Sequence, residues 1–209
     1  MPEYVCRLCP RQCGALRTEE KGEGFCAMPA LPVIARAGLH HWEEPCISGA
    51  RGAGTVFFSG CVLGCVYCQN GPISRERFGR AVSAGRLREI FEELVAQGAH
   101  NIDLVSPTPY VPAILEALEE PLPVPVVWNT GGYERVETLR RLEGKVQVWL
   151  PDMKYADSAL AAKYSGAADY FETASAAIRE MVRQTGNYVM EDGLLKSGVL
   201  IRHLLLPGA

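Results

Sequence analysis

Three cysteines, Cys61, Cys65 and Cys68, stand close together in the run Phe57-Phe58-Ser59-Gly60-Cys61-Val62-Leu63-Gly64-Cys65-Val66-Tyr67-Cys68. Thiolates are the usual ligands of iron–sulfur clusters, and a four-iron cluster normally takes four of them. Three thiolates from one loop leave one iron without a protein ligand. That open iron can chelate a small molecule offering an amine and a carboxylate, as the methionine end of S-adenosylmethionine does. The spacing therefore predicts a [4Fe–4S] cluster that delivers one electron to a bound sulfonium, with the cofactors carrying the difficult chemistry and the protein orienting them. A structural zinc site is the alternative. It needs four ligands, for which the loop would lend three and Cys46 the fourth.

A second group is Cys6, Cys9, Cys13 and Cys26. Four thiols with one tight pair suit either a tetrahedral zinc ion or a second iron–sulfur cluster, and spacing alone does not choose between them. A cluster would relay electrons; zinc would staple the segment. With both cysteine groups holding zinc, the chain would be a non-catalytic interaction protein.

Eight cysteines among 209 residues are many, and the N-terminus, Met1-Pro2-Glu3-Tyr4-Val5-Cys6, lacks the basic-then-apolar pattern of a signal peptide. A cytoplasmic location follows as the expectation, because clustered thiols in a reducing compartment bind metal or do redox work. The formal net charge of -3 argues against a nucleic-acid partner, and the absence of a long uncharged apolar run argues against a membrane span.

These thiols need a scaffold. Residues 1–30 read as a small cysteine-rich module and 31–53 as a connector. From 54 to 209, apolar strand runs alternate with helical spacing. Strands are expected at Thr55–Phe58, Ile102–Val105, Pro125–Trp128, Val146–Leu150 and Val199–Leu206. Helices are expected near Leu87–Val95, Val111–Leu118, Val136–Leu142, Ser158–Tyr164 and Tyr170–Gln184. This alternation predicts an α/β fold, a partial (β/α) barrel of parallel strands. Polar residues follow each strand: Ser59-Gly60-Cys61, Ser106-Pro107-Thr108, Asn129-Thr130, Asp152 and Lys154, and Pro207-Gly208. In a parallel barrel such positions share the C-terminal face, where sites form.

Cys61-x3-Cys65-x2-Cys68, with Tyr67 before the last cysteine, matches the radical SAM signature. The wider sequence resembles the PflX-like group, homologues of pyruvate formate-lyase activating enzyme. The runs Gly54–Asn70, His40–Gly49 and Leu150–Asp157 carry that resemblance. It implies a radical SAM barrel, S-adenosylmethionine as cofactor, an electron donor such as flavodoxin or ferredoxin, and activation of a glycyl radical enzyme as a possible task. It also implies a sixth strand, short of which this chain stops.

For the cofactor, the resemblance draws attention to Tyr67, Thr108, Asn129, Asp152, Lys154 and Arg202. The Gly-Gly-Glu segment that meets the methionine amine in the activating enzymes is here Ser106-Pro107-Thr108-Pro109-Tyr110, which leaves Thr108 or backbone carbonyls as acceptors. Asp152 and Lys154 match an Asp-x-Lys pair. Lysine would neutralise the methionine carboxylate, and aspartate would accept from a ribose hydroxyl or help hold a cation. Arg202 is a charge within a strand-like run, costly unless paired, and is expected to reach the same carboxylate.

Overall fold

A computed structural model describes residues 3–206. The chain opens with β1 (Tyr4–Val5), β2 (Leu16–Arg17) and the long strand β3 (Val33–His40). Then follow α1 (Pro45–Ser48), β4 (Ala53–Phe58), α2 (Gly71–Ser74), β5 (Arg80–Ala81), α3 (Ala84–Ala96) and β6 (Ile102–Val105). After these come α4 (Val111–Ala117), β7 (Val126–Thr130), α5 (Val136–Arg140), β8 (Val148–Pro151), α6 (Ser158–Ser165), α7 (Tyr170–Thr185), β9 (Val189–Glu191) and β10 (Leu194–Val199).

The main sheet runs β5-β3-β4-β6-β7-β8-β10-β9. Its five central strands, β4, β6, β7, β8 and β10, are parallel neighbours. The strands β3 and β5 extend one side in antiparallel pairing, and β9 does so on the other. The mixed α/β architecture with a parallel-rich sheet agrees with a partial (β/α) barrel.

Side chains alternate cleanly across this sheet, as period-two geometry requires. Val56, Phe58, Ile102, Leu104, Val126, Trp128 and Trp149 face outward and pack with helix residues Leu87, Phe91, Ile114 and Met181. Full burial of such a side chain contributes about 1.5–3 kcal/mol. The inward face carries Ala53, Val127, Val148, Leu150 and Leu195, closed by Ile47 of α1. Polar Thr55, Asp103 and Asn129 share that inward face and are buried.

Two differences from the sequence reading stand out. The connector 31–53 contains β3, whose half-exposed pattern hides it. The fifth parallel strand lies at Leu194–Val199 rather than Val199–Leu206. It follows β9 in a tight antiparallel hairpin, and backbone bonds from Leu200 to the Trp149 carbonyl and from Arg202 to the Pro151 carbonyl, both 2.9 Å, carry the pairing as far as the bridge Asp152↔Arg202. Ile201 and Leu205 are exposed, so the apolar run alone does not make a strand there. Pro207-Gly208 lies outside the described residues.

Cys6, Leu8, Cys26 and Met28 join the outward-face core, so the N-terminal segment is packed onto the barrel. Arg17 ties it further, donating to the Pro109 carbonyl and, at 2.9 Å, to the Cys26 sulfur. Among the described residues, no helix is long and apolar enough to cross a membrane.

Candidate functional site

The three-cysteine loop leaves the end of β4 over a backbone that glycine makes possible. Gly60 has φ +80, and a Cβ there would fall 2.2 Å from the Met28 Cγ. Gly64 has φ +70. The Tyr110 hydroxyl donates to the Ser59 carbonyl at 2.8 Å and anchors the start of the loop. The amide of Val66 donates to the Tyr164 carbonyl at 2.9 Å, and that of Cys68 to the Cys65 carbonyl at 3.2 Å. Cys65 is buried, and Cys61 and Cys68 are partly so.

Burial pushes the Cys61 thiol above its ordinary pKa. The N–H groups of Gly64 and Leu63 pull it back, and the neighbouring Cys65 and Cys68 thiols add to the rise. The amide of Leu63 lies 3.4 Å from the Cys61 sulfur. The Ser165 hydroxyl donates to the Cys65 sulfur at 3.0 Å. Donors aimed at sulfur stabilise the thiolate, the form a cluster requires. The loop therefore suits a thiolate-bound iron–sulfur cluster. Cys46 is not beside it; it sits in α1, packed near the inward-face core.

At the C-terminal ends of the parallel strands, Asn129, Asp152, Lys154 and Arg202 come together; the sequence reading set the first three just after strands and Arg202 within one. Lys154 Nζ is 2.7 Å from Asp152 Oδ2, and Arg202 Nε is 3.0 Å from Asp152 Oδ1. Arg202 also donates to Asn129 Oδ1 at 2.6 Å and to Glu43 Oε2 at 3.1 Å. Its guanidinium is thus hydrogen-bonded to three protein partners, and Glu44 Oε1 lies 3.7 Å from it as well. Gly132, with φ +79, lets the turn after β7 pass close under Asp152, where a Cβ would meet the Asp152 carbonyl at 2.2 Å.

Thr108 and Tyr67, also expected at the cofactor, have hydroxyl partners of their own. Thr108 is buried, and its hydroxyl donates to Glu134 Oε1, which also takes the Thr130 hydroxyl. Burial raises the Glu134 carboxyl to about 6. Tyr67 turns its hydroxyl to that of Tyr155, 2.6 Å away.

Sequence reasoning missed Glu43, Asp103 and Arg11. Asp103 is fully buried, accepts from Thr55 Oγ1 at 3.3 Å, and leaves Oδ1 unpartnered. Burial, then the charge of Glu43, raises its carboxyl to about 8. A charged residue inside the strand Ile102–Val105 was the available signal. Arg11 donates to the carbonyls of Val62 and Leu63 in the cysteine loop, both at 3.1 Å, and to those of Ser165 and Gly166. Its guanidinium stacks 4.0 Å from the Phe25 ring centroid.

In the N-terminal group, Cys6, Cys9 and Cys26 are buried and Cys13 is exposed. Burial pushes Cys9 up to about 12, and the nearby Cys26 and Cys6 thiols contribute. Cys6 is raised in the same way, with Cys26 and Cys13 adding. Among the described residues, however, no three or more His, Cys, Asp or Glu side chains are gathered tightly enough to hold one metal ion.

A family model described as the radical SAM superfamily matches residues 55–190, from β4 to β9. An uncharacterized protein of Methanocaldococcus jannaschii is 28% identical, the match covering 97% of this chain and 57% of that protein. The chain thus spans a little over half the length of that relative.

Proposed function

The chain belongs to the radical SAM superfamily, whose members use a [4Fe–4S] cluster and S-adenosylmethionine, and from this premise we propose that Cys61, Cys65 and Cys68 hold that cluster. The observation that carries the reading is the loop itself. It carries three thiols within one short turn of chain after the first parallel strand, with donors on the Cys61 and Cys65 sulfurs and no fourth cysteine in the loop. When bound, the cluster supplies the electron that splits S-adenosylmethionine into methionine and a 5′-deoxyadenosyl radical, which abstracts hydrogen from a substrate.

The polypeptide's part is to bind, orient and exclude water. Lys154 offers an ammonium to the methionine carboxylate, and Asp152 accepts from a ribose hydroxyl or faces a cation. Arg202, engaged by Asp152, Asn129 and Glu43, fixes the rotamers of the first two. Its charge then reaches the carboxylate as field, because its donors are already shared. Tyr67, Thr108 and Asn129 complete the cofactor surroundings in this reading. The buried inward face beneath, with Ile47 and Leu150, keeps water from the reacting end.

Cys6, Cys9, Cys13 and Cys26 are proposed to bind a second iron–sulfur cluster or zinc; the four thiols that the N-terminal segment carries support this reading. Activation of a glycyl radical enzyme, with flavodoxin or ferredoxin as electron donor, is the narrower proposal and draws on the resemblance to the PflX-like group. The deciding assay is anaerobic reconstitution with dithionite and S-adenosylmethionine, followed by measurement of 5′-deoxyadenosine. Wild type should form it and Cys65→Ala should not; equal yields would refute the assignment of the triad.

A further inference from the structure

We infer that Ser165, backed by Tyr155 and Tyr67, is a positioning residue that raises the reduction potential of the cluster through the Cys65 sulfur. The inference rests on the reading above, in which Cys65 is a ligand.

Three hydroxyls form an unbroken line. The Ser165 hydroxyl donates to Cys65 Sγ at 3.0 Å. Tyr155 and Ser165 are 2.7 Å apart, and the Tyr67 hydroxyl donates to that of Tyr155 at 2.6 Å. Each hydroxyl carries one proton. With the Ser165 hydrogen directed at sulfur as a hydrogen-bond donor, Tyr155 must donate to Ser165, and Tyr67 must donate to Tyr155. All three O–H dipoles then point toward the same sulfur. Bonds aligned in this way polarise one another, more so in a poorly solvated interior, and Cys65, Ser165 and Tyr155 are all buried.

The contact is built in from several directions. Ser165 closes α6, where Gly166 adopts φ +58. Arg11 binds the carbonyls of Ser165 and Gly166 together with those of Val62 and Leu63, which fixes the helix end against the cysteine loop. The Tyr155 ring packs edge-on against Tyr170 at 5.2 Å. A hydrogen bond to a ligating sulfur withdraws negative charge, and the reduced cluster carries one charge more than the oxidised one. The bond therefore favours the reduced form. In the sequence, Ser165 lies 100 residues from Cys65, so no motif announces it.

The test is a redox titration of the reconstituted protein followed by electron paramagnetic resonance, with iron content measured alongside. Ser165→Ala should move the midpoint to more negative potential, and Tyr155→Phe should move it the same way by less. A Ser165 that merely ends a helix would lower thermal stability in S165A and leave the midpoint where it was. An unshifted midpoint in a fully loaded S165A overturns the inference while leaving Cys65 as ligand. Should S165A fail to load, Y155F decides, since it keeps the serine; a midpoint equal to wild type then refutes the relay. A wild type that shows no cubane signal under reduction removes the ligand assignment and this inference together.

Discussion

At the scale of single residues, a charge proposed to meet the cofactor differs from a charge that holds others in place. Lys154 has one protein partner, Asp152 Oδ2 at 2.7 Å, and its ammonium keeps donors free for an incoming carboxylate. A hydrogen bond to a charged group is worth about 1.5–3 kcal/mol, and a factor of ten in affinity corresponds to about 1.4 kcal/mol. Lys154→Met should therefore weaken S-adenosylmethionine binding by about tenfold or more, read by isothermal titration, with iron content unchanged. Unchanged affinity would remove Lys154 from the cofactor site.

Asp103 makes a prediction of a different kind. Its folded-state pKa, about 8, lies above the ordinary value near 3.9, so between these limits the folded protein binds more protons than the unfolded chain. Stability attached to this group is then complete below about pH 4 and is lost as pH rises toward 8. Asp103→Asn keeps the shape and removes the titration. The variant should gain thermal stability relative to wild type at pH 8 compared with pH 5, as followed by circular dichroism. A difference between the two proteins that does not vary with pH would contradict the raised pKa.

At the scale of elements, Arg11 is the piece that joins the N-terminal segment, the cysteine loop and the end of α6. One planar guanidinium with five donors can serve four carbonyls in fixed directions, which a lysine ammonium cannot. It also places a positive charge at the C-terminus of α6, where the helix dipole favours it. Arg11→Ala leaves the carbonyls of Val62, Leu63, Ser165 and Gly166 without this donor. The expected loss is about 2 kcal/mol or more of stability, together with faster loss of iron to a chelator. Stability and iron retention equal to wild type would show that the loop is held by other contacts.

Elements were legible in the sequence where they pack on both sides. Val126–Trp128 is a continuous apolar run, and Ile102–Val105 is one apart from Asp103, because both faces of a parallel sheet are covered. The α3 stripe Leu87, Ile90, Phe91 and Leu94 shows because only one helix face is buried. By contrast β3 lies outside the parallel set, pairs antiparallel with β4, and exposes Arg36 and Ala37 to varying degree, so its pattern is diluted. The misplaced fifth strand has the same cause in reverse. Val199–Leu206 is apolar, yet register with β8 is made by Gly198 and Val199, and hydrogen-bond register leaves no mark in hydrophobicity.

The site divides along the same line. Asn129, Asp152 and Lys154 were readable because each stands at or shortly after the end of a strand. Arg202 was readable as a charge among apolar neighbours. Ser165, Tyr155, Glu43 and Arg11 act through partners 50 or more residues away, and no local pattern encodes such a partner.

At the scale of the whole molecule, five parallel strands gather one polar end, and the N-terminal segment braces the loop that starts there. Outward-facing Trp128 and Trp149, 6.1 Å apart between ring centroids, and the helices over them form the rigid side. The charged group of Glu43, Asp152, Lys154 and Arg202 and the cysteine loop form the working side. In the proposed reading the cluster keeps one iron open to S-adenosylmethionine, and one experiment addresses that position directly. Electron paramagnetic resonance of the dithionite-reduced, reconstituted protein should give a four-iron cubane signal whose g values change when S-adenosylmethionine is added. A cubane signal that is the same with and without the cofactor would mean that no iron is open to it, and the account would fail at its centre.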